Sequence, residues 1–362
     1  MSLDITPTLT ATEEARRQVE ICNACRYCEG YCAVFPAAFA EREFADADIT
    51  QLASLCHNCR GCYYACQYTD PHEFALNLPA ALAEVRVESW ARFAWPGPFA
   101  RLFQTNGVAL AAALVVGTAL IFAAIRALGT GAGDGFYAYL SHSAMVAIFA
   151  PAFLFPLLAL AVGVRRYWAE VGGARVAWAD LKAALVDAGR MRNLSGGAAE
   201  GCNYEKGDRY SVARKHAHHA VVWGFLLCFA STSSGTVLHY LFDMPAPYPF
   251  LSLPKLLGVP GGLLLTVGAV GLAVLKLKAD RALGAAGAWG GEMAFVILLG
   301  LTGLTGLMLY AATGTGLVGP LLALHLGTVL AFFVTLPYSK MAHAAYRLAA
   351  LTRDAQQRRA RG

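Results

Sequence analysis

The chain has 362 residues, enough for two or three domains, and 57% of them are hydrophobic. Its net charge of +5 is an average: residues 1–95 carry seven arginines against thirteen acidic residues (−6), and residues 96–362 carry 22 basic against 11 acidic residues (+11). Since the basic excess lies beside long apolar runs, it indicates the cytoplasmic face of a membrane and argues against nucleic acid as a partner.

The N-terminal segment is polar. Residues 1–20 lack the apolar core of a cleavable signal, so we expect the head to stay in the cytoplasm. Residues 10–20 predict a short polar helix that leads into the first of two cysteine runs. Cysteines clustered in a reducing compartment favour metal ligation over disulfides.

The two cysteine runs share the spacing C-x2-C-x2-C-x3-C. The first consists of Cys22, Cys25, Cys28 and Cys32, and the second of Cys56, Cys59, Cys62 and Cys66. Thiolates are soft ligands that suit iron–sulfur clusters, and two-residue gaps allow one tight loop to bind three corners of a cubane. A single run could bind zinc, but two identical runs predict a pair of [4Fe–4S] clusters.

Two-cluster ferredoxins exchange the fourth cysteine between their runs. The same crossover here assigns Cys22, Cys25, Cys28 and Cys66 to cluster 1, and Cys56, Cys59, Cys62 and Cys32 to cluster 2. The proline that commonly follows the fourth cysteine is replaced by Ala33 and Gln67, so the loop geometry is expected to differ. Cys202 and Cys228 fall outside the runs and are interpreted as a loop thiol and a buried apolar residue.

The rest of the head is expected to be helical or irregular. Residues 33–55 predict a loop followed by a short helix. Residues 72–95 alternate apolar and charged residues near the helical period and end in aromatic residues. This pattern fits either an amphipathic segment at the lipid headgroups or a surface helix packed on the head.

Six apolar stretches are long enough to cross a bilayer. We place them over 104–125, 143–163, 218–241, 256–275, 292–312 and 321–342. Pro151 and Pro156 interrupt the second, which neighbouring helices can accommodate, and glycines in the fourth and fifth are consistent with close helix packing. The predicted fold is a ferredoxin-like 2[4Fe–4S] domain over 1–95, mainly helical or irregular, fused to an all-α six-helix transmembrane bundle over 96–362.

Loop charges determine the predicted topology. With the head in the cytoplasm, the inner segments 164–217, 276–291 and 343–362 contain most of the basic residues that flank the spans. Only two basic residues, Arg126 and Lys255, lie in the opposite loops, which are 126–142, 242–255 and 313–320. The bias predicts a multi-pass protein of the bacterial inner membrane with both termini in the cytoplasm.

Polar residues at membrane depth are costly, so the histidines of the spans are functional candidates. They are His142, His216, His218, His219, His239, His325 and His343. His325 and His343 are 18 residues apart, which predicts that both project from one face of the last span, five turns and about 27 Å apart. On the third span, His218 and His239 lie within about 60° of a common face.

Antiparallel spans would therefore pair His218 with His343 on the inner side of the membrane, and His239 with His325 on the outer side. These pairs suit the axial positions of two b-type haems. His142 is the main alternative ligand on the outer side, and His216 and His219 are the alternatives on the inner side.

Motifs for substrate chemistry are missing from the sequence. The segment 196–201 lacks the lysine of a phosphate-binding loop, and the absence of C-x-x-C-H excludes covalently attached haem. No nucleophile or general-base pattern is visible. The chain is therefore expected to carry redox centres, while a partner performs the reaction on the substrate.

Several segments, together with the cysteine runs, resemble the tricarballylate/citrate utilisation B proteins. They are NLPAALAEVRVESWARFAWP (77–96), GCNYEKGDRYSVARKHAHH (201–219), CFASTSSGTVLHYLF (228–242) and PYPFLSLPKLLGVPGG (247–262). The resemblance spans nearly the whole chain. It implies an iron–sulfur and haem-containing membrane protein that reoxidises the FADH2 of a partner dehydrogenase acting on tricarballylate and passes the electrons to the quinone pool.

Two other functions stay open at this point. One is a membrane subunit like those of heterodisulfide or nitrate reductases, with a different electron donor. The other is a redox-sensing transporter that contains no haem. For the electron-transfer function, we expect the acidic head to dock its partner near the clusters.

Overall fold

The computed structural model describes residues 9–127, 140–195, 201–203 and 209–361, except the side chain of Arg126. Residues 1–8, much of the predicted outer loop 126–142 and most of the glycine-rich segment 196–201 lie outside these residues. The regular structure of the described residues is helical, and one isolated bridge joins Cys202 to Ser211.

The head begins with five helices: α1 (Ala11–Cys25), α2 (Val34–Phe39), α3 (Asp46–Leu55), α4 (Gly61–Tyr64) and α5 (Leu78–Phe93). The predicted polar helix corresponds to α1, and the predicted short helix of 33–55 to α3. A capping box starts α1: Thr10 Oγ1 accepts a hydrogen bond from the Glu13 backbone N–H (3.2 Å), and the Glu13 carboxylate accepts one from the Thr10 backbone N–H (2.8 Å).

The remaining helices are α6 (Pro98–Ala127), α7 (His142–Glu170), α8 (Trp178–Arg190), α9 (Ala213–Phe242), α10 (Leu253–Lys278), α11 (Trp289–Ala311), α12 (Val318–Thr335) and α13 (Ala342–Arg361). Six segments of the described residues are long and apolar enough to cross a membrane. The predicted six-span all-α architecture is confirmed at this level. Both Pro151 and Pro156 lie inside α7, which continues through them.

The sixth span is not one continuous helix, so the prediction of His325 and His343 on one helical face is wrong. Helix α12 ends at Thr335, a 3-10 turn covers Leu336–Tyr338, and α13 begins at Ala342. Pro337 explains the break, because proline lacks an N–H donor and its ring clashes with the preceding turn of a helix. His325 and His343 therefore lie on separate helices.

Glycines bring neighbouring spans into close contact, as the sequence predicted. A Cβ on Gly303 of α11 would lie 2.9 Å from the Gly262 carbonyl oxygen of α10 and 2.7 Å from Thr266 Oγ1. A Cβ on Gly224 of α9 would lie 2.4 Å from the backbone nitrogen of Leu265. The backbones of α9, α10 and α11 can approach this closely only because these positions have no side chain.

Residues 72–95 follow the second of the two interpretations, a helix packed on the head. The buried face of α5 includes Leu82 and Val85, and the helix packs against α1 and α3. It also contacts α7, so it lies between the head and the membrane helices.

The core of the head extends into the helices of the bundle. Tyr167 of α7 and Tyr346 of α13 are fully buried in the same hydrophobic cluster as Ile49 and Leu82 of the head. Tyr167 donates a hydrogen bond to the Gln51 side chain, whose amide donates to the Ala350 carbonyl (2.9 Å). The head is therefore held against α7 and α13.

Candidate functional site

Both cysteine runs turn by the same backbone device. The residue after the second cysteine has a left-handed conformation in each run, with φ of 58° at Arg26 and 68° at Arg60. This conformation reverses the chain direction and is uncommon for residues other than glycine. It ends α1 at Cys25 in the first run and starts α4 at Gly61 in the second.

The first site gathers three thiols of the first run and the last thiol of the second. Burial and the neighbouring thiols of Cys28, Cys66 and Cys25 raise the pKa of Cys22 to about 12. Burial and the thiols of Cys66 and Cys25 raise the pKa of Cys28 to about 12 as well. These four side chains border a cavity of about 250 Å³. Among the eight cysteines of the two runs, Cys25 alone is exposed.

The second site gathers the complementary set. Burial raises the pKa of Cys32 well above its usual range, and the neighbouring thiols of Cys59 and Cys56 raise it further. The pKa of Cys62 is also raised well above its usual range. Burial is the largest cause, followed by the thiols of Cys59, Cys56, Cys32 and Cys28. The neighbours of these thiols agree with the crossover assignment, except that Cys28 of the first set also lies near Cys62, and the assignment stays a prediction.

The donor set suits iron–sulfur clusters. Cys56 Sγ accepts a hydrogen bond from the Asn58 backbone N–H, and Cys66 Sγ accepts one from the Tyr68 backbone N–H, both at 3.4 Å. Hydrogen bonds to the ligating sulfurs are among the factors that set the potential of such clusters. Since nearby thiols disfavour one another's ionised form, a cationic cluster core would stabilise all four as thiolates.

The two sites adjoin each other. Cys62, a member of the second set, also borders the cavity of the first set, and its thiol interacts with that of Cys28. The first site opens toward the surface beside Tyr27, whose exposed fraction is 69%. The second lies deeper, toward the helices of the bundle.

Arginines from three helices surround the loop of the second site. Arg86 of α5 donates to the carbonyl oxygens of Ala53 (3.0 Å) and Cys56 (2.8 Å). Arg347 of α13 donates to Cys56 O (2.5 Å). Guanidinium groups are suited to this role, because they present several rigid donors and keep their charge when buried.

The third of these arginines belongs to α9. Arg214 donates to Asn58 O (2.9 Å) and His57 O (3.0 Å). Burial, followed by the charges of Arg347, Arg214 and Arg86, holds the pKa of His57 well below its usual range. His57 is therefore neutral, and the positive charge around this loop is that of the guanidinium groups.

Sequence analysis missed the position of Cys202. It is not an ordinary loop thiol: its exposed fraction is 1%, its Sγ donates a hydrogen bond to the Leu194 carbonyl oxygen (3.4 Å), and its thiol lies close enough to that of Cys59 to interact with it. The Asn203 backbone N–H also donates to Cys59 O (3.0 Å). Interaction with the Cys59 thiol, with a further contribution from the charge of Arg214, lowers the pKa of Cys202 to about 7. No spacing rule could have placed this residue, because a tertiary contact brings it to the site.

The structure places the two predicted inner histidines side by side. The imidazole rings of His218 on α9 and His343 on α13 have centroids 5.8 Å apart and an interplanar angle of 82°. Imidazole nitrogens bind metals at about 2 Å, so the rings of two axial histidines on one iron have centres about 6 Å apart. The observed spacing fits a shared haem iron.

Hydrogen bonding prepares His343 for such a role. Its Nδ1 donates to the Lys340 carbonyl oxygen, which leaves Nε2 as the unprotonated nitrogen that can bind a metal. His218 Nδ1 is buried and has no hydrogen-bond partner among the described residues.

The two inner alternatives are directed elsewhere. His216 is exposed, and His219 Nε2 lies 3.3 Å from the Gly189 carbonyl oxygen at the end of α8. Of the three histidines near the start of α9, His218 is thus the one that meets a second imidazole.

On the outer side, His239 lies against the predicted alternative His142. Their rings are stacked, with centroids 4.5 Å apart and an interplanar angle of 20°, and Tyr240 Oη lies 3.3 Å from His142 Nε2. This spacing is shorter than the roughly 6 Å that two axial ligands of one iron need. In this arrangement His142 and His239 are not an axial pair.

His325 has the features of a metal-binding histidine. Thr305 Oγ1 donates its only hydrogen to Leu301 O (2.6 Å), so it accepts from His325 Nδ1 (2.9 Å). That leaves His325 Nε2 unprotonated, as in His343. Gly306 makes room for the ring, since a Cβ there would lie 3.2 Å from His325 Cε1.

A charged cluster closes the junction between the head and the bundle. The Glu292 carboxylate accepts hydrogen bonds from Lys276 Nζ (2.5 Å) and Lys340 Nζ. Beside it, a pocket of about 40 Å³ is bordered by Arg86 and Trp90 of α5. Arg86 thus faces both this pocket and the loop of the second cysteine site.

Two family models of known proteins together match nearly the whole chain. The family model described as citrate utilization protein B matches residues 99–362, and the one described as citrate utilization protein B Fer4-like domain matches residues 15–92. Citrate utilization protein B of Escherichia coli is 43% identical over 354 residues, which cover 96% of this chain and 92% of that protein. No solved structure matches the chain significantly. The head is therefore Fer4-like and is joined to helices of membrane-spanning character.

Proposed function

The chain belongs to the citrate utilization protein B family, and we propose that it is a membrane electron-transfer protein that accepts electrons from a flavoprotein and delivers them to quinone. The observation that carries the proposal is the connection between the second cysteine loop and the inner histidines. Arg214 and Arg347 bind that loop, and they lie one helical turn from His218 and His343, respectively.

Within this proposal, the head holds two [4Fe–4S] clusters. The ligands of the first are Cys22, Cys25, Cys28 and Cys66, and those of the second are Cys56, Cys59, Cys62 and Cys32. Such clusters exchange single electrons, which suits a donor that releases two electrons and an acceptor that takes them one at a time. The exposed Cys25 and Tyr27 make the first site the side that a donor can reach.

Two b-type haems complete the proposed path through the bundle. His218 and His343 would hold the inner haem through their Nε2 atoms. For the outer haem we keep the pair His239 and His325, with His142 as the alternative partner of His325. His142 is kept as the alternative because its ring stacks on that of His239, so both imidazoles lie at the same end of the spans.

The donor and acceptor are proposed from the family resemblance and from the sequence. Because the sequence shows no nucleophile or general-base pattern, a FAD-dependent dehydrogenase of the tricarballylate type is proposed as the donor. The quinone pool of the bacterial inner membrane is proposed as the acceptor. The excess of basic residues on the head side of the spans supports cytoplasmic termini.

Spectroscopy of the full chain purified in detergent tests this function. Non-haem iron and acid-labile sulfide should correspond to two cubanes per chain. Stepwise reduction with dithionite should give the EPR signals of reduced [4Fe–4S] clusters and the sharp optical bands of bis-histidine b-type haem.

Two outcomes would contradict the proposal. Clusters without haem bands would favour the redox-sensing transporter. A protein that has clusters and haem, yet is reduced by an unrelated soluble donor and not by a reduced flavoprotein, would favour the subunit like those of heterodisulfide or nitrate reductases.

A further inference from the structure

The surroundings of the two cysteine sites differ sharply in charge. None of the residues that border the first cavity has a charged side chain; the polar ones are cysteines, tyrosines and a glutamine. The second loop, 56–59, is bonded by three guanidinium groups from three different helices, those of Arg86, Arg214 and Arg347.

Two of these three guanidinium groups have no ion-pair partner among the described residues. Neither Arg86 nor Arg347 takes part in the ion pairs found among the described residues. The charge of Arg347 acts electrostatically on the thiols of Cys56 and Cys32, and that of Arg214 on the thiol of Cys59. A set of thiolates at this site would therefore face positive charge in a poorly solvated environment, where such interactions are strong.

The same arginines connect the loop to the inner histidines. Arg214 precedes His218 by one turn of α9, and Arg347 follows His343 by one turn of α13. Residues four apart lie on the same face of a helix. One face of each helix thus carries an arginine that bonds the cysteine loop and a histidine that contacts the histidine of the other helix.

Charge and hydrogen bonding act on a cluster's potential in a known direction. Reduction adds an electron, so nearby positive charge and donors stabilise the reduced form and raise the reduction potential. We propose that Arg214 and Arg347 are positioning and tuning residues of the second cysteine site: they give its cluster the higher potential of the two and fix it as the one that faces the inner histidines. This inference rests on the proposed function.

The consequence is a direction of transfer. A reduced cluster held by the first site would pass one electron to an oxidised cluster held by the second, with no bond made or broken and no proton required. Because Cys62 borders both sites, the distance between them is short. The electron then has an energetically favourable position next to His218 and His343.

An EPR-monitored redox titration of the full chain in detergent tests the inference. The signal of each cluster is assigned first, with Cys25→Ser for the first site and Cys59→Ser for the second. In the parent protein, the second-site signal should have the higher midpoint potential. Arg347→Gln and Arg214→Gln should each lower that potential while leaving the first-site potential unchanged.

Matched variants separate tuning from general effects. Arg347→Lys keeps the charge and should retain most of the potential. Arg353→Gln removes the same charge from α13, where Arg353 bonds the Val171 carbonyl away from the cysteine loop (3.1 Å), and should change neither cluster. If Arg347→Gln does not assemble, Arg214→Gln and Arg347→Lys still give the comparison.

The inference is overturned if the first-site cluster has the higher potential, if both glutamine variants keep the parent values, or if Arg353→Gln causes the same shift. In each of these cases the clusters are present and the proposed function stands. A purified chain without clusters would remove the proposed function and, with it, this inference.

Discussion

The imidazole rings of His218 and His343 meet edge to face with centroids 5.8 Å apart, although the two residues lie on helices separated by most of the bundle's sequence. His343 Nδ1 is held by the Lys340 carbonyl, in the turn that follows Pro337. The break between α12 and α13 therefore contributes to the site, because it places Lys340 where it fixes the orientation of the imidazole.

Alanine at either inner histidine should remove one of two haems. His218→Ala and His343→Ala should each halve the haem content measured by pyridine haemochrome, since a single axial ligand does not hold a b-type haem firmly. His216→Ala is the control: its side chain is exposed, so the haem content should be unchanged. Equal loss in all three variants would contradict the pairing.

At the outer site, we expect the loss of haem to differ among the three histidine variants. His325→Ala should remove the outer haem, because Thr305 holds His325 in the tautomer that binds metal. Comparison of His239→Ala with His142→Ala identifies its axial partner. We expect the larger loss for His239→Ala; a loss confined to His142→Ala would assign the partner to His142 instead.

Serine substitutions test the exchange of the fourth cysteine. Cys66→Ser belongs to the second run, yet it should affect the same EPR signal as Cys25→Ser, because both thiols are in the first site. Likewise Cys32→Ser should affect the same signal as Cys59→Ser. If each variant instead affects the signal of its own run, the crossover assignment is wrong.

Close packing of α10 on α11 predicts a stability effect. Gly303→Ala would place a Cβ 2.9 Å from the Gly262 carbonyl oxygen, so backbone must move, at a cost of about 1–3 kcal/mol. Thermal unfolding in detergent should show a lower midpoint. Gly117→Ala on α6 is the matched control, because its Cβ would meet nothing within 4 Å; a similar fall in both variants would contradict the packing explanation.

Much of the fold could be predicted because its signals are local. The spacing of the cysteine runs, the lengths of the apolar stretches and the glycines at 262 and 303 each depend on residues close in sequence. The break in the sixth span was also signalled, by Pro337, but the apolar run around it was long enough to suggest one helix. Helix α12 ends two residues before that proline.

Other features depend on tertiary contacts that no spacing rule contains. Cys202 lies near Cys59 because the segment 201–203 packs against the second cysteine loop. His142 of α7 stacks on His239 of α9, a residue nearly 100 positions away in the chain. The arginines of the second loop could not be recognised either. In the sequence, Arg214 and Arg347 are simply basic residues of the predicted inner segments 164–217 and 343–362, whereas in the structure they donate hydrogen bonds to Asn58 and Cys56.

The central claim is that electrons pass through this chain to quinone, and transient oxidation measures it most directly. The full chain is reduced anaerobically with dithionite, freed of excess reductant and mixed with a short-chain benzoquinone, while the haem bands and the cluster EPR signals are followed. We predict that both sets of reduced signals disappear and that quinol forms in proportion to the electrons lost. Reduced clusters and haems that persist in the presence of the quinone would contradict the account.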